Sequence, residues 1–237
     1  MGAAVEDYFC SIFTFSRLLD FDSILQGIHL AISEDAAGCL GHEFHVDEVW
    51  VALKQMAPLT TPSPDGMSPI FYKSFWHIVG EDVTAMVLKV LNSNVVPESL
   101  NSTFIALIPK VEQPRKVSNF RLISLCIMVY KLISKVLVNW LKFFLVKAIP
   151  ESQSSFLSRR LIYDNVLVAF ETLHYLKRKT QGKLGYMALK LDMSKVYDRV
   201  EWEFLEKTMR HLGLGDRLVS LTMSCITSVS YSMLLNG

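Results

Sequence analysis

The residues best suited to chemistry lie in the segment KLDMSKVYD, residues 190–198. Asp192 directly follows residues 185–191, an apolar run that predicts a buried strand. A carboxylate at the end of a strand is held in place yet accessible, and it suits Mg²⁺, which prefers oxygen ligands. Such an aspartate is also a common cap or turn residue, and the residues alone leave that alternative open. Asp198, six positions further on and preceded by the aromatic Tyr197, favours the metal-binding interpretation.

The charged residues are unevenly distributed along the chain. Residues 1–50 hold nine acids against Arg17 alone, whereas residues 101–150 hold eight bases against Glu112 alone. Residues 151–200 add nine bases against five acids, so the total of +1 hides an acidic front and a basic middle. A basic block of this kind favours a phosphate-bearing partner. A solvated surface that pairs with the acidic front is the alternative, and composition does not separate the two.

The composition is that of a folded chain. Of the 237 residues, 51% are hydrophobic, which excludes a disordered, solvating chain. No apolar run reaches the roughly 18 residues of a membrane span, and the acidic N-terminus lacks the pattern of a secretory signal. We therefore expect no membrane partner. The cysteines at 10, 39, 126 and 225 are too dispersed for a zinc site, and they predict reduced thiols in an intracellular protein.

Hydrophobic periodicity and turn residues predict a helix-rich chain with a short β-ribbon. The ribbon consists of strands at 102–109 and 120–125, which flank the polar loop VEQPRKVS. The triplet Pro64-Asp65-Gly66 predicts a turn. Helices are predicted at 46–56, 69–79, 80–94, 130–148, 161–179, 202–212 and 216–225, and further strands at 185–191 and 228–235.

Five segments, in order, resemble the reverse transcriptase domain of plant LINE-type non-LTR retrotransposons. They are LKQMAPLTTPSPDGMSPIFYKSFW, LIPKVEQPRKVSNFRLISL, YKLISKVL, QSSFLSRRLIYDNVLVAFE and KLDMSKVYDRVEW, within residues 45–237. The resemblance implies RNA-directed DNA polymerase activity and an α+β fold. That fold is the fingers and partial palm of a right-hand polymerase, helix-rich, with a fingers β-ribbon and an incomplete antiparallel palm sheet. It implies a lead-in at 1–44, a fingers-like region at 45–184, and a partial palm at 185–237 that carries the first catalytic aspartate.

The resemblance also implies roles for single residues. Asp192 matches the first catalytic aspartate and would bind Mg²⁺ together with the backbone carbonyl of Met193. Tyr197 matches the residue that packs against the incoming sugar. Lys110 and Arg121 match the fingers residues that hold the incoming deoxynucleoside triphosphate. Without the resemblance, Tyr197 is equally well an ordinary core aromatic, and the two bases are surface residues.

Further bases are placed near nucleic acid by the same resemblance. Arg115 and Lys116 at the ribbon tip, with Lys131 and Lys135, would contact the backbone of an RNA template or DNA primer without reading its sequence. An enzyme of this kind works inside the cell, in the nucleus or the cytoplasm.

The chain departs from the family pattern at several positions. Leu122 replaces a proline, Ser63 replaces a glycine, and Trp140 stands where a basic residue is common. After residue 198, neither the family's Gln-Gly segment nor its Ala-Asp-Asp hairpin occurs. We therefore expect a chain that is truncated before the second half of the palm and inactive on its own. The alternatives are a non-catalytic nucleic-acid-binding module and a degenerate remnant whose apolar surfaces stay exposed.

Overall fold

The computed structural model describes residues 6–8, 10, 14, 21–28, 41–155, 157, 160–182, 185–192 and 197–234. The α-helices in these ranges are α1 (Asp22–Leu25), α2 (Val46–Gln55), α3 (Pro69–Ser74), α4 (Trp76–Ser93), α5 (Met128–Ala148), α6 (Ile162–Arg178), α7 (Trp202–His211) and α8 (Asp216–Thr227). The strands are β1 (Ser102–Pro109), β2 (Phe120–Leu125) and β3 (Ser230–Leu234). The predicted helices and the two ribbon strands are confirmed, although the helix break expected after Val79 lies at Phe75.

The three strands form one mixed sheet in the order β2-β1-β3. β1 and β2 are antiparallel, with Ile108 opposite Arg121, as expected for the ribbon. β3 lies parallel to β1 on its other edge, with Ser102 opposite Ser230. Parallel strands need a long crossover, and here the connection from β1 to β3 includes β2 and helices α5 to α8. The predicted α+β class is confirmed.

Three helices build most of the hydrophobic core. α2 and α5 pack against each other, and α4 packs against both. Val49 and Leu53, one helical turn apart on α2, are fully buried, as are Leu132 and Ile133 on α5. Burying a side chain of this size stabilises the fold by about 1.5–3 kcal/mol. These helices are therefore held mainly by packing of their apolar faces.

Glu48 ties the start of α2 to α5. One carboxylate oxygen accepts a hydrogen bond from the His45 N–H at 2.8 Å, which caps the first turn of the helix. The other oxygen accepts a hydrogen bond from Nε1 of Trp140 at 2.5 Å. The Trp140 ring also packs against Phe44, with ring centroids 4.2 Å apart. Trp140, which departs from the family pattern, therefore contributes to packing between helices.

Asn101 joins the sheet to α8. Its side chain is only 1% exposed, and Nδ2 donates to the carbonyl of Cys225 and to Oγ of Ser228, both at 2.8 Å. Its own carbonyl accepts a hydrogen bond from the Ser230 N–H at 3.1 Å. The Tyr130 hydroxyl donates to the same Cys225 carbonyl at 3.1 Å. One buried amide thus connects the beginning of β1, the end of α8 and the beginning of β3.

Helix α6 differs from the core helices because none of its residues is buried. Tyr163, Val166 and Phe170 are 77%, 58% and 68% exposed. A helix that is apolar on several faces is normally buried. α6 therefore presents a large apolar surface among the described residues.

The strand predicted at 185–191 is wrong. These residues have no regular secondary structure, and Met187, Leu189 and Leu191 are 84%, 71% and 78% exposed. A strand needs hydrogen-bonded neighbours, and β1 already pairs with β2 on one edge and β3 on the other. Residues 185–191 pair with neither of the outer strands β2 and β3, so the favourable residue pattern alone does not produce a strand here.

Candidate nucleic-acid interface

The β-ribbon places Lys110 and Arg121 on one of its faces. The Lys110 N–H donates to the Asn119 carbonyl at 2.7 Å, which continues the antiparallel ladder one residue beyond β1. Lys110 is therefore opposite Asn119, and Arg121 is opposite Ile108. Opposite residues, and residues two apart on a strand, share a face, so Lys110 and Arg121 are diagonal neighbours with Cβ atoms about 7–8 Å apart. Both side chains are exposed, which leaves two cations side by side for an anion.

The ribbon tip is basic and has a defined shape. Arg115 and Lys116 are both exposed. The Lys116 N–H donates to Oδ1 of Asn119 at 3.0 Å, and Nζ of Lys110 donates to the Ser118 carbonyl at 3.2 Å. These bonds close the turn onto the ribbon, so the exposed cations of the tip sit on an ordered support.

Lys131 fastens the turn around residues 58–66 to α5. Its Nζ donates to the Thr61 carbonyl at 2.6 Å, while Oδ1 of Asp65 accepts a hydrogen bond from the Met67 N–H at 2.9 Å. The ammonium of Lys131 thus has a structural partner besides the template-facing role implied for it. Ser63 in this turn is only 3% exposed, and its hydroxyl has no hydrogen-bond partner among the described residues.

Two other lysines of α5 are partly buried without a partner. Lys135 and Lys142 are of intermediate exposure, and no hydrogen bond or salt bridge joins either of them to another described residue. Burial, and to a lesser degree the charge of Lys142, lowers the pKa of Lys135 below its ordinary value. Neither ammonium therefore forms an ion pair with a described carboxylate, although Glu151 and Asp164 line the same groove as Lys142.

Arg160 holds the end of α5 and the turn that follows it. Its guanidinium donates to the carbonyls of Val146, Ile149, Pro150 and Gln153 at 3.1, 2.8, 2.5 and 2.7 Å. Carbonyls at the end of a helix lack partners and carry partial negative charge, so a cation there is doubly favourable. Sequence reasoning missed this contact, because only Pro150 marked the helix end.

A groove of about 1760 Å³ lies between the end of α5 and the start of α6. Lys142 and Phe143 line its α5 side, and Leu161 and Asp164 line its α6 side. Phe143 is 65% exposed. The groove therefore combines a cation and an exposed ring on α5 with two acids, Glu151 and Asp164, on its other walls.

The described residues implied in catalysis lie outside the α-helices and strands, at exposed positions. Asp192 is exposed and belongs to no helix or strand, and Tyr197, which begins the 3-10 turn Tyr197–Arg199, is 72% exposed. Met193 lies outside the described residues. Within the described ranges no three His, Cys, Asp or Glu side chains form a group that could hold a metal ion, so these residues alone do not fit a pair of magnesium ions.

Among the described residues, no helix is both long and apolar enough to cross a membrane.

Comparison with known proteins identifies the family. Over 194 residues the chain is 28% identical to the transposon TX1 uncharacterized 149 kDa protein of Xenopus laevis. That alignment covers 79% of this chain but only 15% of the relative, so the chain spans a small part of the relative's length. The family model for reverse transcriptase (RNA-dependent DNA polymerase) matches residues 108–234, which include the ribbon bases, α5 and Asp192. This chain therefore belongs to the reverse transcriptase family.

Proposed function

We propose that the chain is part of the RNA-directed DNA polymerase of a LINE-type non-LTR retrotransposon from a plant. The family match and the similarity to a transposon protein support this proposal, as does the order of the five sequence segments. Its partners in that role are an RNA template, a DNA primer and deoxynucleoside triphosphates, inside the cell. Polymerases of this family work with divalent ions, which activate the primer hydroxyl and stabilise the leaving pyrophosphate.

The observation that carries the proposal is the pairing of Lys110 and Arg121 on one face of the ribbon. A triphosphate is bound well by a planar guanidinium, which donates two parallel hydrogen bonds, next to an ammonium, which acts as a point charge. Neither side chain has a carboxylate partner among the described residues, so both are available to an anion. In this proposal Lys110 and Arg121 bind the phosphates, and Tyr197 packs against the sugar.

Residues 1–237 alone, in this proposal, bind nucleotide but do not polymerise DNA. The sequence contains no adjacent pair of aspartates, and within the described residues Asp192 belongs to no group of three or more His, Cys, Asp or Glu side chains that could hold a metal ion. Mg²⁺ sheds its water reluctantly and is held poorly by one carboxylate. The proposed parent activity therefore needs further ligands besides Asp192.

Nucleotide binding tests the role of the ribbon. Lys110→Gln/Arg121→Gln is compared with wild type by calorimetric titration with dTTP, and Lys89→Gln serves as control because Lys89 is exposed on α4. We expect the ribbon variant to bind at least about tenfold more weakly, since each charge-assisted hydrogen bond contributes roughly 1.5–3 kcal/mol. Equal affinity in the wild type and the ribbon variant would refute the role of these bases.

Primer extension tests the absence of catalysis. Purified protein is incubated with an RNA template, an annealed DNA primer, dNTPs and either Mg²⁺ or Mn²⁺. We expect no template-dependent product. If the wild type does make a template-dependent product and Asp192→Asn abolishes that synthesis, the chain is catalytically complete and this part of the proposal is wrong.

A second candidate function is nucleic-acid binding without catalysis. The exposed bases of the ordered ribbon tip, Arg115 and Lys116, favour it. Binding of this kind is independent of sequence and falls steeply with salt. A salt titration with oligonucleotides of two unrelated sequences tests it: equal affinities that decline together with salt are expected, and a strong preference for one sequence argues against it.

A further inference from the structure

Ser118 lies at the exposed tip of the β-ribbon, shortly after two basic residues. It belongs to the 3-10 turn Val117–Asn119 and is itself exposed, as are Arg115 and Lys116. These bases occupy the third and second positions before the serine. A hydroxyl that follows exposed cations suits a protein kinase whose substrate groove carries carboxylates, because such enzymes select substrates by charge pairing. The tip therefore offers an acceptor hydroxyl together with the charges that would present it to such an enzyme.

The tip can open to enter the groove of another enzyme. Lys116 is already extended, with φ −130° and ψ 152°. The turn is closed by bonds from the Lys116 N–H to Oδ1 of Asn119 and from the Asn119 N–H back to the Lys116 carbonyl. No residue between 110 and 120 is buried. Opening the turn therefore breaks a few exposed hydrogen bonds and no core contact, which keeps its free-energy cost small.

The same tip would bind a phosphate once it is attached to the serine. Residues 110–121 contain four bases against Glu112 alone, a net charge of +3, and none of the salt bridges among the described residues involves Glu112. Nζ of Lys110 lies 3.2 Å from the Ser118 carbonyl, so the ammonium is within reach of a phosphate on the same residue. A phosphoserine carries about −1.5 to −2 charges and three strong acceptor oxygens, which pair with such a cation.

We propose that Ser118 is a phosphorylation site for a base-selective protein kinase, and that its phosphate binds the Lys110 ammonium in place of a nucleotide. Oγ of Ser118 bonds to the γ-phosphorus of ATP, and the bond from that phosphorus to the β–γ bridging oxygen breaks. ADP leaves with the electron pair, and the hydroxyl proton passes to the catalytic carboxylate of the kinase. The net charge of residues 110–121 falls from +3 to about +1. The modification depends on the ribbon tip alone, whereas its effect on nucleotides rests on the proposed function.

Phosphate uptake tests the site itself. The chain is incubated with ATP, Mg²⁺ and the catalytic subunit of cAMP-dependent protein kinase, and modified residues are mapped by mass spectrometry. Wild type should gain a phosphate at Ser118, and Ser118→Ala should gain none at the ribbon. Arg115→Gln/Lys116→Gln keeps the serine and should be modified there at least about tenfold more slowly, because charge-assisted contacts with the kinase are lost.

Thr180 provides the matched control, because it also follows a run of bases, residues 177–179. Nζ of Lys179 lies over the ring of Tyr186, 3.7 Å from its centroid, so the base next to Thr180 is already engaged. Thr180→Ala should therefore gain phosphate at Ser118 as wild type does. An unmodified Ser118 in wild type, or equal rates in wild type and Arg115→Gln/Lys116→Gln, would overturn the site.

The contact between the phosphate and Lys110 is measured without any nucleotide. In the phosphorylated wild type, a ³¹P NMR titration should give a second pKa for the phosphoserine about half a pH unit below its ordinary value, since a nearby cation favours the dianion at an exposed site. Phosphorylated Lys110→Gln should return to the ordinary value. Lys89→Gln removes the same charge from an exposed position of α4 and should match wild type. Equal pKa values in wild type and Lys110→Gln would overturn the contact.

Calorimetric titration with dTTP, after ATP has been removed, tests the effect on the nucleotide site. Phosphorylated wild type should bind at least about tenfold more weakly than unmodified protein, as after the loss of one charge-assisted contact. Ser118→Ala treated with the same kinase should keep the affinity of unmodified wild type. Equal affinity before and after phosphorylation would overturn the competition and leave the nucleotide site standing. If unmodified wild type binds no dTTP, the nucleotide site and the competition both fail, whereas phosphate uptake and the ³¹P titration still decide on Ser118.

Discussion

The junction at Asn101 allows a quantitative prediction for stability. Asn101→Ala removes the two hydrogen bonds from Nδ2, each of which contributes about 0.5–1.5 kcal/mol, and it leaves a small cavity. The change also removes Oδ1, which is buried without a partner among the described residues and whose loss returns about 1 kcal/mol. The Cys225 carbonyl still accepts a hydrogen bond from Tyr130. We therefore expect a net loss of about 1–3 kcal/mol, or roughly 3–9 °C in Tm for a chain of this size.

Replacing Asn101 by aspartate tests the same geometry electrostatically. The carboxylate would face the Cys225 carbonyl, which Nδ2 of Asn101 contacts at 2.8 Å, in place of the amide group that donates to it. An uncompensated buried charge costs about 3–5 kcal/mol, so Asn101→Asp should be less stable than Asn101→Ala at pH 7. Burial raises the folded-state pKa of the new carboxyl above its unfolded value of about 3.9. The stability lost by burying the charge should therefore return as the pH falls through the pKa of the carboxyl in the folded state. That loss should be absent below the pKa of the carboxyl in the unfolded state.

Urea unfolding followed by circular dichroism measures both variants. Asn139→Ala, a substitution on α5 at a side chain of intermediate exposure, is the control and should stay within about 0.5 kcal/mol of wild type. Hydrogen exchange should show the amides of β3 losing protection first in the Asn101 variants. The reasoning is refuted if Asn101→Ala is as stable as wild type, or if the stability of Asn101→Asp relative to wild type does not depend on pH.

Three further changes test separate parts of the fold. Arg160→Ala leaves four carbonyls at the end of α5 and in the following turn without their cation, and it should lower the free energy of unfolding by about 2–3 kcal/mol. A thermal melt measures the loss. Arg160→Lys should recover only part of the lost stability, since an ammonium cannot reach all four carbonyls. Ser63→Ala removes a buried, unpaired hydroxyl and should raise stability by about 1 kcal/mol, whereas a drop in Tm would show that the hydroxyl has a partner. Burial is the largest cause that raises the Tyr130 pKa to about 12, so wild-type stability should fall between pH 10 and 12, as the unfolded chain ionises first. Tyr130→Phe should lose part of that pH dependence, while the buried thiol of Cys225, whose pKa burial raises to about 11, and Tyr72, whose pKa burial also raises, keep the rest. An unchanged alkaline profile would contradict the assignment.

The helices and the ribbon could be predicted because their signals are local. Val49 and Leu53 recur at helical spacing, and both are buried on α2 as that spacing requires. The strands that flank the VEQPRKVS loop pair with each other across a short connection. Lys110 and Arg121 were predicted on the two arms of the ribbon, and the register adds that they share one face.

The remaining features depend on contacts between distant residues. A pattern of β-forming residues at 185–191 predicted a strand, but a strand forms only where its backbone pairs with another one, and the third strand of the sheet is β3 instead. The parallel pairing of β3 with β1 is stabilised by Asn101, whose partners at 225 and 228 carry no sequence signal that points to it. For the same reason the role of Lys131, which binds the carbonyl of Thr61, 70 residues away, could not be read from residue types. The partners of Arg160 are nearer in the chain, but they are backbone carbonyls, which residue types do not reveal. The roles of Asp192 and Tyr197 stay predictions.

The parallel pairing also means that β1 is synthesised well before its partner β3 during translation. Asn101 and Cys225, which frame the two paired strands, are 124 residues apart. At about 5–20 residues per second, a ribosome needs roughly 6–25 seconds to deliver the second after the first. Throughout that interval the edge of β1 that later pairs with β3 is unpaired, and another nascent chain could occupy it. The yield of correctly assembled protein should therefore depend on translation speed and on chaperones that shield this edge until β3 emerges.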